Sequence, residues 1–199
     1  MKKGILILMS LTLVLAFVTA TAEAPRNGGR GNGAGGGSMQ TLNEGIACMN
    51  GDGVDQDYEK ALRLFTEAFE AGSMKAARYI GIVYEQGLGV EQDYGKAAEY
   101  YAKGTEAGDL TSGYYLGLLY AQGLGVEQDY EKAANLFAAV ESSDNKSATG
   151  VVAAGYELGV LCEKGLGVEQ DLNKAKELYR EAAEYGYPDA VEALERLSE

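Results

Sequence analysis

The chain has 199 residues with 46% hydrophobic content, which suits one ordinary domain or one short solenoid and argues against wholesale disorder. Thirty acids against 17 bases give a net charge of −13, which repels phosphate backbones and weighs against nucleic-acid binding. There is no histidine, so Ser-His-Asp and Cys-His catalysis are excluded and the commonest metal ligand is missing. No catalytic residue, metal ligand or cofactor site is expected.

Met1-Lys2-Lys3 is a short basic start, and Ile5 to Val18 is an apolar core of 14 residues broken only by Ser10 and Thr12. Ala20-Thr21-Ala22 then fits a small-residue cleavage site, so residues 1–22 read as a secretory signal. The competing reading is an uncleaved anchor, for which the 19 residues from Gly4 to Ala22 stand at the short end of a membrane span. Cleavage removes Lys2 and Lys3 and leaves a mature chain of charge −15, secreted or periplasmic and not inserted in a membrane. Residues 23–38 read as a disordered tether with seven glycines (Gly28, Gly29, Gly31, Gly33, Gly35, Gly36, Gly37) and little to bury.

Residues 39–199 carry a repeat. Gly87-Leu88-Gly89-Val90-Glu91-Gln92-Asp93-Tyr94 returns at Gly123 to Tyr130, at Gly165 to Leu172, and more loosely at Gly51 to Tyr58. The steps are 36, 36 and 42 residues, in the range of helical repeat arrays. After each loop Tyr94, Ala97, Tyr101 and Gly104 fall on one helical face, as do Tyr58, Ala61, Phe65, Ala68; Tyr130, Ala133, Phe137, Val140; and Leu172, Ala175, Tyr179, Ala182. Asp57, Asp93, Asp129 and Asp171 stand where they would N-cap this second helix. Before each loop a first helix, Lys75 to Gln86 in one unit, buries Ala77, Ile80, Gly81 and Tyr84. Gly45, Gly81, Gly117 and Gly159 share one register and suggest a close helix crossing. Gly87, Gly123 and Gly165 would end their helices, Gly89, Gly125 and Gly167 make the turn, and Val90, Val126 and Val168 return an apolar anchor. The third step holds six extra residues within Glu141 to Gly150, expected to distort the array locally. Pro188 to Leu197 reads as a final half-unit, with Glu195 facing water as an end cap would.

The Gly-x-Gly-Val-x-x-Asp loop, the following Lys-Ala, and Leu116-Gly117-Leu118-Leu119-Tyr120 before the next loop resemble the Sel-1-like repeat family, a relative of tetratricopeptide solenoids. The resemblance covers about residues 39–186 and implies an all-α, right-handed solenoid of about four helix pairs. It also implies a protein–protein interaction role, often as an adaptor in bacterial envelopes. Some disulfide-rich members carry paired cysteines in each repeat and have been linked to β-lactams. That pairing is missing here, which weighs against such activity; an envelope enzyme or binder acting on cell-wall or β-lactam ligands is the alternative reading.

Cys48 and Cys162 share a seam register three repeats apart, about six helix layers of 8–10 Å, so they should be free, buried thiols; an intermolecular bridge is the alternative. Asp52, Asp55 and Asp57 are in the wrong order for a calcium loop, whose twelfth position is filled here by Arg63. The first-helix stripe opposite the buried face contains Asn43, Ala47, Asn50; Tyr79, Val83, Gln86; Tyr115, Leu119, Gln122; and Glu157, Leu161, Lys164. It reads as a mixed concave groove for a protein or peptide, the alternative being that Tyr79 and Tyr115 pack between repeats.

Overall fold

A computed structural model describes residues 34–146 and 150–198. The proposed signal and most of the tether lie outside these residues. Nine helices and no strand make up the described residues: α1 (Ala34–Asn50), α2 (Tyr58–Glu70), α3 (Lys75–Gln86), α4 (Tyr94–Glu106), α5 (Leu110–Gln122), α6 (Tyr130–Glu141), α7 (Val151–Lys164), α8 (Leu172–Glu184) and α9 (Pro188–Arg196). Each helix packs on the next, so α1–α2, α3–α4, α5–α6 and α7–α8 form four pairs and α9 closes on α8. The result is an α-solenoid. α1 extends back to Ala34 and buries Ser38, so the last five residues of the segment read as tether are helical.

The aspartates cap as their positions demand. The backbone N–H groups of Lys60, Lys96, Lys132 and Lys174 each donate to Asp57, Asp93, Asp129 and Asp171 at 2.9 Å. Ala61, Phe65 and Ala68 of α2 are fully buried, and Ala97, Tyr101 and Gly104 of α4 repeat that face. Each large ring needs a gap opposite it. A Cβ added to Gly45 would stand 2.6 Å from Phe65 Cε1, and one on Gly159 would stand 2.6 Å from Tyr179 Cε1. Gly81 and Gly117 make the same room for Tyr101 and Phe137. Burying such a ring contributes roughly 1.5–3 kcal/mol, which outweighs the about 1 kcal/mol that a mid-helix glycine costs.

The loop is closed by its own hydrogen bonds. Gly87 takes φ 66°, and its N–H donates to the Val83 carbonyl. Leu88 N–H reaches the same carbonyl at 3.0 Å, and Asp93 N–H reaches Tyr84 O at 2.9 Å. The Gln92 side chain then donates to Glu85 O at 2.7 Å, and Gln56, Gln128 and Gln170 repeat this at 2.9, 2.8 and 2.9 Å. These glutamines are structural parts that the glycine pattern did not reveal.

The second loop glycine joins repeats. A Cβ on Gly125 would overlap the backbone of Tyr94, and one on Gly167 that of Tyr130. Each loop therefore rests on the first turn of the preceding second helix. Gly53, in the first repeat, has no described neighbour within 4 Å. The insertion is tied down at one end: Lys146 Nζ donates to Glu141 O at 2.7 Å and lies 2.8 Å from Glu181 Oε1 on α8. Glu195 is exposed on α9.

Candidate functional site: the first-helix face

The first helices α3, α5 and α7 each touch two second helices, their own and the preceding one. Tyr79 stacks on Phe65 of α2 at 5.1 Å, and Tyr115 stacks on Tyr101 of α4 at 5.2 Å. The stripe of Tyr79, Val83 and its equivalents therefore faces the seam between repeats and is not an open groove. Val83, Leu119 and Leu161 are core residues at 0%, 1% and 5% exposure. Glu157 is also buried, at 7%. Tyr79 and Tyr115 are half-buried, whereas Asn43, Asn50, Gln86, Gln122 and Lys164 are exposed along the rim.

The open side lies one residue round the helix. It presents Arg78 and Glu85 on α3, Tyr114, Leu118 and Ala121 on α5, and Tyr156, Val160 and Glu163 on α7, all partly exposed. α5 also contacts α7 directly, and no two second helices of the described residues approach one another to that extent. At α5 and α7 the array is thus tighter on its first-helix side, and that side is termed the inner face. Tyr114 packs on Phe137, and Tyr156 packs between Tyr179 and Tyr187 with centroids at 5.4 and 5.0 Å. The sequence signal for these residues was the register position just before Tyr79, Tyr115 and Glu157, where Arg78, Tyr114 and Tyr156 replace one another.

Polar pairs hold this face in place. Tyr101 OH donates to Glu85 at 2.5 Å, and Tyr179 OH donates to Glu163 at 2.8 Å. The pairing tracks the sequence: repeats with Phe65 and Phe137 carry Met49 and Ala121 at the carboxylate position. A ring without a hydroxyl has no acid to satisfy it, and an acid without a hydroxyl would be left buried and unpaired. Burial raises the Glu85 carboxyl above its usual range, and the Tyr101 hydrogen bond partly offsets that. Arg196 grips Glu163 through both nitrogens, at 2.5 and 2.9 Å, and this bond holds the Glu163 carboxyl below its usual range. Arg78 lies 3.2 Å from Asp109 and 4.9 Å above the Tyr79 ring. Asp109 in turn caps α5 through Ser112 N at 3.0 Å.

Glu157 differs from these acids. Burial pushes its carboxyl up to about 8; the charge of Lys164 works against that shift and the charge of Asp189 adds to it. Tyr114, Tyr156 and Tyr187 are raised first by burial and then by the charge of Glu157, which places all three phenols within its field. Glu157 takes part in no hydrogen bond or ion pair among the described residues. Cys48 and Cys162 are both free and buried. No helix among the described residues is long and apolar enough to cross a membrane.

The Sel1 repeat model matches residues 45–73, 75–109, 114–139 and 152–187, more than half the chain. The chain is similar to the crystal structure of a protective antigen present in uropathogenic Escherichia coli strains, which displays an SLR fold: 32% identity, TM-score 0.72, over 80% of this chain and 33% of that one. It is also similar to a Sel1 repeat protein from Oxalobacter formigenes, at 26% identity and TM-score 0.69 over 79% of this chain and 62% of that one. The chain thus spans about a third of the antigen's length. A comparison with curated proteins gave no match. Four matched repeats, the capped second helices and the glycine-seated rings all agree: the chain belongs to the Sel1 repeat family.

Proposed function

We propose that this protein is a secreted or periplasmic interaction scaffold that binds a polypeptide on its inner, first-helix face. Sel1 repeat proteins are typically protein–protein interaction scaffolds. The observation that carries the reading is the inner face itself. Tyr114, Leu118, Tyr156 and Val160 leave apolar and aromatic surface partly open, between the charged groups Arg78, Glu85 and Glu163. A tyrosine-bearing strip with a polar rim is the composition of a protein-binding surface. The leader-like residues 1–22 support export. The alternative of an enzyme or binder for cell-wall or β-lactam ligands draws less support: Glu157 is buried, and the inner-face acids Glu85 and Glu163 are bonded to Tyr101 and to Tyr179 and Arg196.

The test is a double variant, Leu118→Lys with Val160→Lys, used beside wild type to recover partners from a native envelope extract. Both side chains are only partly buried, so circular dichroism and melting should show a folded protein. A polypeptide recovered by wild type and lost by the folded double variant supports the reading. Equal recovery by both removes the inner face as the binding surface.

A further inference from the structure

We propose that Glu85 is the docking point for an arginine side chain of the bound polypeptide, which would lie across Leu118 and fork the Glu85 carboxylate. This rests on the scaffold reading above and names the chemistry of the partner. The fourth repeat already makes such a contact within the chain. Tyr179 OH donates to Glu163 Oε2 at 2.8 Å, and Arg196 of α9 donates to Glu163 Oε1 and Oε2 at 2.5 and 2.9 Å. The second repeat holds the same register 78 residues earlier. Tyr187 N–H donates to Ala182 O at 3.0 Å, and at that offset Asp109 N–H donates to Gly104 O at 2.9 Å. Glu85 and Tyr101 stand at the same offset from Glu163 and Tyr179, and their bond recurs at 2.5 Å. The residue at that offset from Arg196 is Leu118. The second repeat therefore keeps the tyrosine and the acid but sets an apolar side chain where the fourth sets its arginine.

The other repeats show that the three positions change together. They hold Met49, Phe65 and Ile82 in the first repeat, and Ala121, Phe137 and Val160 in the third. Where the acid is absent the hydroxyl is absent too, and the third residue is apolar. Only the second repeat combines an acid with an apolar third residue. Glu85 is partly exposed, its Oε2 accepts from Tyr101, and its Oε1 has no partner among the described residues. No cation of those residues pairs with it: Arg78, two turns back on α3, is 3.2 Å from Asp109 and lies over the Tyr79 ring, and α5 carries no charged residue. A half-buried carboxylate in this state gains a charge-assisted pair from a partner's cation. Arginine suits it best, since its stem can cover Leu118 while its planar fork meets both oxygens, as Arg196 does on Glu163. The net charge of −13 adds a general pull on a basic segment.

The experiment labels tyrosine for ring NMR and titrates the protein with N-acetyl-arginine methylamide and with its uncharged citrulline counterpart. Tyr101 is fully buried, so its ring signals report on the Glu85 carboxylate that it bonds. The arginine probe should shift them and the citrulline probe should not. Glu85→Gln keeps an acceptor for the Tyr101 hydroxyl, so it should stay folded, and it should weaken the arginine probe about tenfold or more. Glu106→Gln, an exposed acid on α4, should leave the response unchanged. Leu118→Arg supplies the fork from within the chain and should abolish the response; melting curves check that each variant folds. Equal response to the two probes, wild-type binding by Glu85→Gln, or an undiminished response in Leu118→Arg overturns the assignment. In that case loss of a native partner by the Leu118/Val160 double variant would still uphold the scaffold reading, so the two can fail separately.

Discussion

Replacing Glu157 with glutamine should stabilise the protein, and the gain should grow with pH. Glutamine is close in shape to a protonated glutamate but cannot ionise. The unfolded carboxyl releases its proton near 4.5, whereas the folded one holds it until about 8. Below 4.5 both states are protonated and the variant should differ little. Between the two values only the folded state keeps the proton, so wild-type stability falls as pH rises. Above 8 both states are charged and the full penalty remains. The advantage of Glu157→Gln should therefore be about 1 kcal/mol at pH 5, about 3 at pH 7 and about 5 at pH 9. Urea unfolding of both proteins at those three pH values measures it, because other titrating groups cancel in the difference. A pH-independent difference, or a variant less stable at pH 9, would refute the account of a buried, unpaired acid.

Other substitutions test the architecture. Gly53→Ala and Gly125→Ala share the strain of a positive φ, but only Gly125 would meet a neighbour's backbone. Gly125→Ala should be about 1–3 kcal/mol the more destabilising in denaturant unfolding, from the overpacking against Tyr94; equal losses would break the assignment of this glycine to the inter-repeat joint. Tyr101→Phe should cost about 1–3 kcal/mol by leaving Glu85 without its donor, and adding Glu85→Met should recover most of it. That double variant copies the first repeat, where Phe65 faces the position of Met49; a double variant worse than the single one contradicts the pairing. Asp109→Ala should cost about 1–2 kcal/mol, since it removes the cap of α5 and the Arg78 partner together. A thermal melt unchanged from wild type would count against that role.

Much of the fold was legible because it is written four times. Asp93 and its equivalents sit at the one spot where a short acidic side chain meets free N–H groups, so the caps and the second helices follow from spacing alone. Gly81 predicted a close crossing, and the Tyr101 ring fills it. The stripe read as an open groove lies largely in the seam between repeats, and the cause is geometric. A first helix in an array packs against two second helices, so its buried arc is wider than that of a helix with one neighbour. The assumed opposite face of α3 was therefore spent on the seam, where Val83 is at 0% exposure and Tyr79 lies on Phe65. Tyr114 and Tyr156 were missed because residues flanking a buried stripe look alike on both sides until the neighbouring helix is in place. The Tyr101–Glu85 pair was readable in principle, from the joint exchange of tyrosine with acid and phenylalanine with an apolar residue between repeats. The role of Gln92 was not, because its bond to Glu85 O depends on the folded loop.

The central claim is that the inner face carries the partner. Its most direct measurement is site-specific photo-cross-linking in the native envelope. A photoreactive residue would stand at Leu118 or Val160 on the first helices, or at Asn135 or Glu177 on the exposed side of α6 and α8. The account predicts one polypeptide cross-linked from Leu118 and Val160 and absent from Asn135 and Glu177. The same polypeptide captured only from Asn135 and Glu177 would contradict it.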